Sequence, residues 1–355
     1  DYQDVEFRDD KARNGYSEFS SSPAAYLAAL RRERTPAQYW GSWMDAGTAD
    51  AALARYRSLP EVPMDVWITA NTHISDKLTD PFFPADLAPL PSLDEQWAAV
   101  LGFIERVRSH QPIARAIHYY VLGARTFRTT AAWPPSDARS VEWRFGPEHA
   151  LIPATAASTD GEDRYTVDRS ATTGDATRWS TQMGTPAAYP DRQFEDGKLL
   201  TYTSAPFGED TELLGSASVT LYIATTSKDP AFFSYLEDVG PDGRVTYLTE
   251  GLFRAVHRLP ASADALPYAQ GEPAKSYLRK DAQPMVPGEV AKVAFPVFPV
   301  AALIRQGHRL RLTLAGADRS VFRNYGENAD VWRVERTALQ PSALRVFVRR
   351  WSPTG

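Results

Sequence analysis

The chain has 355 residues, a formal net charge of −5 and no cysteine, with 43% hydrophobic and 12% aromatic residues. That length has room for about two domains with true cores, and 27 prolines with 21 glycines point to many turns and short strands. The modest charge without basic runs argues against nucleic-acid binding, the lack of any stretch near ~18 uninterrupted apolar residues argues against a membrane span, and the absence of cysteine excludes disulfides, thiolate metal sites and a cysteine nucleophile.

The start, Asp1-Tyr2-Gln3-Asp4-Val5, has neither an initiator Met nor a signal peptide. The expectation is a chain that begins inside a longer one, or one that has been processed. The compartment stays unassigned, with the cytoplasm slightly favoured. Residues 1–34 alternate polar and aromatic positions until Ser22-Pro23, where Ser suits an N-cap and Pro the first helical position. The helix formers that follow make this the end of a helical cap region.

Residues 35–110 begin with a β-α-β unit. A strand over Gln38–Trp40 runs through Gly41-Ser42-Trp43-Met44 to Asp45, and a second over Met64–Ala70 ends in Asn71-Thr72-His73. Thr48–Ser58 between them has helical composition, with Ala52, Leu53 and Tyr56 on one face. Adjacent parallel strands put Asp45 and His73 on the same carboxyl edge, where α/β sheets place their chemistry. That order suits the last two members of a Ser…Asp…His triad. The plainer alternative is that Asp45 caps the helix and His73 sits in a polar loop. A Pro-rich loop over residues 75–91 suits a site entrance. Ser92-Leu93-Asp94-Glu95 then matches a capping box, and Trp97, Val100, Leu101, Ile104 and Val107 share one helical face, expected to pack on the sheet.

From residue 111 to 355 the period changes to two. Strands are expected over Ile117–Leu122, Val141–Phe145, Leu199–Thr203, Ser218–Ala224, Phe232–Asp238, Val245–Leu248, Val290–Val297, Arg309–Leu314 and Ala343–Val348. Roughly nine strands with turn signals between them argue a β-sandwich or jelly roll. The polar stretch Asp160–Gln193 is expected to wrap its surface. A two-stranded parallel sheet before residue 111 cannot satisfy its edges, so other polypeptide is expected to complete it.

These motifs resemble the CocE/NonD-type serine hydrolases, a family that includes cocaine esterase, X-prolyl dipeptidyl-peptidases, α-amino-acid ester hydrolases and glutaryl acylases. The family's acid motif is similar to Gly41–Asp45 and its histidine motif to Ala70–His73, with Ser42, Met44 and Asn71-Thr72 as departures that retain acid and base. Leu199–Pro206, Leu213–Ser216, Leu236–Gly243, Gly251–Ala255 and Gly307–Leu312 also recur in order. The resemblance implies the C-terminal part of an α/β-hydrolase domain, β-α-β plus helices, followed by an all-β jelly-roll sandwich.

It further implies acyl ester or amide hydrolysis through an acyl-serine, with Asp45 orienting His73 and His73 as general base and acid. No cofactor is implied. Gly-x-Ser-x-Gly occurs nowhere; Ser42 lies too near Asp45, and Ser216 has strand context. The nucleophile and oxyanion hole are therefore expected on an N-terminal hydrolase fragment, preceding or separate, acting on a small-molecule ester or amide; homo-oligomerisation stays open. The alternative from another class is a non-catalytic jelly-roll module binding carbohydrate or protein. His118, His149, His257 and His308 are read as structural.

Overall fold

The computed structural model describes residues 5–157, 160–262, 266–327 and 329–353; the opening Asp1–Asp4 lies outside them. Two short helices, α1 (Glu18–Ser21) and α2 (Leu27–Glu33), flank a 3₁₀ turn at Pro23–Tyr26. The Ser22 hydroxyl accepts the Ala24 N–H at 3.2 Å, so the Ser-Pro pair opens this turn by the expected capping chemistry.

Strand β1 (Ala37–Ser42), helix α3 (Thr48–Ser58) and strand β2 (Met64–Thr69) form the expected β-α-β unit. The strands are parallel, with Ala37 opposite Met64 and Ser42 opposite Thr69. Ala52, Leu53 and Tyr56 are buried. Helix α4 (Leu93–Arg108) has the full capping box. Its packing differs from expectation. None of its residues is buried, and Trp97, Leu101 and Ile104 are 64%, 61% and 45% exposed. The amphipathic period exists, yet among the described residues nothing covers it.

The small sheet continues beyond the β-α-β unit. Strand β3 (Ala116–Val121) pairs parallel with β2, and β4 (Thr126–Thr130) returns antiparallel beside it, giving a sheet ordered β1-β2-β3-β4. The small sheet thus has four strands instead of two, with β3 and β4 lying after residue 111. An apolar run such as Ile117–Leu122 carries no information about which neighbour it will pair with. The far edge of β1 pairs with no described strand.

The rest is mostly strand, with the make-up of a β-sandwich. Its strands are β5 (Arg139–Phe145), β6 (Ala150–Pro153) and β7 (Glu162–Thr166), followed after the short helix α5 (Gln193–Asp196) by β8 (Leu200–Ser204) and β9 (Thr211–Thr225). Then come β10 (Ala231–Val239), β11 (Val245–Arg254), β12 (Ala291–Pro296), β13 (Val300–Ile304), β14 (Arg309–Ala315), β15 (Val331–Glu335) and β16 (Ala343–Arg350). The fifteen-residue β9 pairs with β12, β13, β15 and β16 along different stretches. It passes through Gly215 at φ +90, where a Cβ would lie 3.1 Å from the Phe347 ring, so only glycine fits this bend.

Hydrogen bonds join the two regions: Leu122 N–H donates to Ala301 O at 2.9 Å, and Leu303 N–H to Leu122 O at 3.0 Å. Arg349 on β16 spans the junction, donating to Tyr119 Oη at 2.6 Å and to buried Glu212 at 2.8 Å. One contiguous apolar core runs through both.

Candidate active site

The turn after β1 is built from its neighbours inward. A Cβ on Gly41 would stand 2.9 Å from Thr48 O, so the close approach of strand and helix requires glycine there. Trp43 and Met44 are buried, and Trp43 Nε1 donates to Tyr120 O at 2.7 Å. These anchors make Trp43 a core residue. Ala46 follows at φ 41, and Asp45 is held at the carboxyl edge with its side chain 6% exposed.

The turn after β2 is equally fixed. Asn71 is fully buried and its Oδ1 accepts Leu90 N–H at 3.2 Å. Thr72 N–H donates to Lys77 O, and Ser75 N–H to Thr72 O, each at 2.9 Å, closing a tight loop around His73. Downstream, buried Asp80 accepts Tyr120 Oη at 2.9 Å, Gly123 N–H at 2.8 Å and Phe82 N–H at 3.0 Å. Burial pushes the Asp80 carboxyl up despite these donors.

Across this edge His73 Nδ1 lies 2.9 Å from Asp45 Oδ2, with the His73 side chain 47% exposed. A carboxylate only accepts, so the ring donates from Nδ1 and keeps the Nε2 lone pair for a proton. His73 has no other hydrogen bond among the described residues. The arrangement can abstract a proton at Nε2 while the acid fixes the tautomer.

Two other Asp–His pairs have similar distances, so distance alone does not single out the first. His118 lies 3.1 Å from Asp65 through Nε2, but its Nδ1 is 2.8 Å from Thr129 Oγ1 and its ring stacks on Trp67 at 4.3 Å. Neither of its nitrogens is free. His308 Nδ1 lies 2.7 Å from Asp238 Oδ2, where a turn of the sandwich meets β10. His257 is buried, and His149 stacks on Tyr202. Ser42 is buried with its Oγ accepting Met44 N–H at 3.1 Å, and Ser218 Oγ accepts Arg345 Nε at 3.2 Å.

One contact had no signal in the sequence. The stretch expected to wrap the sandwich sends Thr181 inward, where its Oγ1 lies 2.8 Å from Asp45 Oδ1. Its polar composition hides this, because a buried hydroxyl meeting a distant carboxylate leaves no local period. Among the described residues no cluster of His, Asp and Glu could hold a metal ion, and no helix is long and apolar enough to cross a membrane.

The chain thus carries an Asp–His pair at the carboxyl edge of a β-α-β unit, with strands of β-sandwich make-up after it. Residues 113–329 match the X-Pro dipeptidyl-peptidase C-terminal non-catalytic domain, and the chain belongs to this family, as a C-terminal region of CocE/NonD type. A candidate serine esterase of Mycobacterium bovis is 34% identical over 332 residues, covering 91% of this chain and 51% of its own length. Cocaine esterase of a Rhodococcus species is 21% identical over 226 residues, covering 60% of this chain and 35% of its own. The crystal structure of a CocE/NonD family hydrolase from Staphylococcus aureus superposes with a TM-score of 0.61 at 12% identity, over 88% of this chain and 54% of that one. The chain spans about half the length of the Mycobacterium relative. Asp45 and His73 precede the matched non-catalytic region.

Proposed function

We propose that this chain supplies the acid and the base of a serine hydrolase that cleaves an ester or amide through an acyl-serine. His73 takes the proton from a serine hydroxyl and returns it to the leaving group, and Asp45 orients the ring and stabilises the imidazolium. The observation carrying this reading is the His73–Asp45 hydrogen bond of 2.9 Å at the ends of adjacent parallel strands, with Nε2 left free. In this reading the small sheet is the C-terminal part of an α/β-hydrolase domain and the sandwich a jelly roll.

The serine and the oxyanion hole come, in the same reading, from an N-terminal hydrolase segment, either preceding residue 1 or carried on a separate chain. Three features support it. No Gly-x-Ser-x-Gly elbow occurs in the sequence. The outer edge of β1 is unpaired, and an open parallel edge seeks a strand. The apolar face of α4 is uncovered, and the stacked rings of Trp40 and Trp67, 5.1 Å apart, are only partly covered. The substrate is a small ester or amide.

The test uses the assembly that contains the serine segment. His73→Ala and Asp45→Asn are each expected to lower kcat for an activated ester by about 10³-fold or more. Unchanged turnover in either variant removes that residue from the mechanism.

A further inference from the structure

Thr181 belongs to the region matched as non-catalytic, yet it touches the candidate acid. Its side chain is fully buried, and with His73 on Oδ2 it leaves neither oxygen of Asp45 without a partner. The same hydroxyl lies 2.8 Å from Arg178 O. A hydroxyl has one proton to give, and a charged acceptor takes it in preference to a neutral carbonyl.

The segment carrying Thr181 is locked at both faces. On the hydrolase side, Ala46 N–H donates to Arg178 O and Arg178 Nε to Ala46 O, each at 2.8 Å, so the residue after the acid is clamped reciprocally. Arg178 is completely buried, lies over the Phe298 ring at 4.7 Å and reaches Thr249 Oγ1 at 3.3 Å. On the sandwich side, Thr173 Oγ1 donates to Asp318 at 2.6 Å, Tyr189 stacks on Tyr247 at 3.8 Å, and Arg192 pairs with Glu237 at 2.5 Å. A loop tied this firmly transmits the sandwich's position to Asp45.

We propose that Thr181 is a positioning residue, through which the sandwich fixes the plane of the Asp45 carboxylate and thereby the orientation of His73. The proposal rests on the reading of Asp45 and His73 as the acid–base pair. A carboxylate held through one oxygen still rotates about its terminal torsion, whereas one held through both presents Oδ2 to the imidazole in a single orientation.

The experiment compares Thr181→Val and Thr181→Ser in the serine-containing assembly, with Asp45→Asn in parallel. Thr181→Val is expected to lower kcat by about 10- to 100-fold, the range for losing a hydrogen bond to a charged group. KM should change little, and the His73 Nδ1–H resonance should shift by NMR as its hydrogen bond to Asp45 loosens; Thr181→Ser should restore both kcat and this resonance. Wild-type kcat in Thr181→Val, with Asp45→Asn inactive, overturns the positioning role alone. Unchanged turnover in Asp45→Asn overturns the acid–base reading and this role with it. A fall in kcat without a shift of the His73 Nδ1–H resonance, or without rescue by serine, marks a packing defect and also overturns the proposal.

Discussion

Asp45 is 6% exposed while its partner His73 is 47% exposed, a division of burial that suits an orienting acid and a base that must meet another molecule. His257 shows the opposite use of burial. It packs edge-on against Phe7 and Tyr277, and burial first, then Arg254, Arg8 and Lys275, push its imidazole down to about 4. The folded form therefore binds fewer protons than the unfolded chain between pH ~4 and the ordinary histidine value near 6.5. Its stabilising contribution is complete above about pH 6.5 and is lost as the pH falls toward 4. Glu237, pushed up to about 7 by burial, titrates with the opposite sign, so the wild-type curve alone does not isolate His257. The difference from a His257→Gln variant does. Between pH 7 and pH 5 the wild type should lose about 2 kcal/mol more unfolding free energy than the variant, read from urea midpoints. Equal slopes would contradict this account of His257. At this scale Asp45 and His73 were legible because each ends an apolar strand. Thr181 was not, because it lies far along the chain in a polar stretch and owes its place to Arg178, Tyr189 and Asp318.

Helix α4 is the element whose sequence and surroundings disagree. Its capping box and its apolar stripe were both readable, since each is local. Its partner was not, because amphipathicity states that a face will be covered and not by what. Leu101→Glu and Ile104→Lys should each leave the unfolding of this chain within about 0.5 kcal/mol of wild type, as surface substitutions do. With the serine-bearing segment expressed as a separate chain, the same changes should weaken its association with this one. Retained association in both would mean that the segment docks elsewhere. Strands were legible where alternation or apolar runs were long, as in β10, β12 and β14. Strands β6, β7 and β15 are short, and β13 follows Pro296–Pro299 closely, so local pattern did not mark them. The true pairing of β3 was hidden for a different reason, since parallel partners are set by packing across the sheet.

In the whole molecule, one core joins a small sheet bearing the Asp–His pair to a sandwich that reaches back to hold the acid. The Arg349–Glu212–Tyr119 network and the Leu122 hydrogen bonds make this junction continuous with both sheets. The region matched as non-catalytic is thus built against the candidate chemistry. The change from helical period to alternation was legible, whereas the four-stranded small sheet and the contact of Thr181 with Asp45 follow from long-range pairing that no single stretch encodes. Labelling of the active assembly with a fluorophosphonate, followed by peptide mapping, tests the central claim most directly. The label is expected on a serine within Gly-x-Ser-x-Gly outside residues 1–355, and His73→Ala should suppress it. A label on a serine within these 355 residues, or labelling undiminished in His73→Ala, would contradict it.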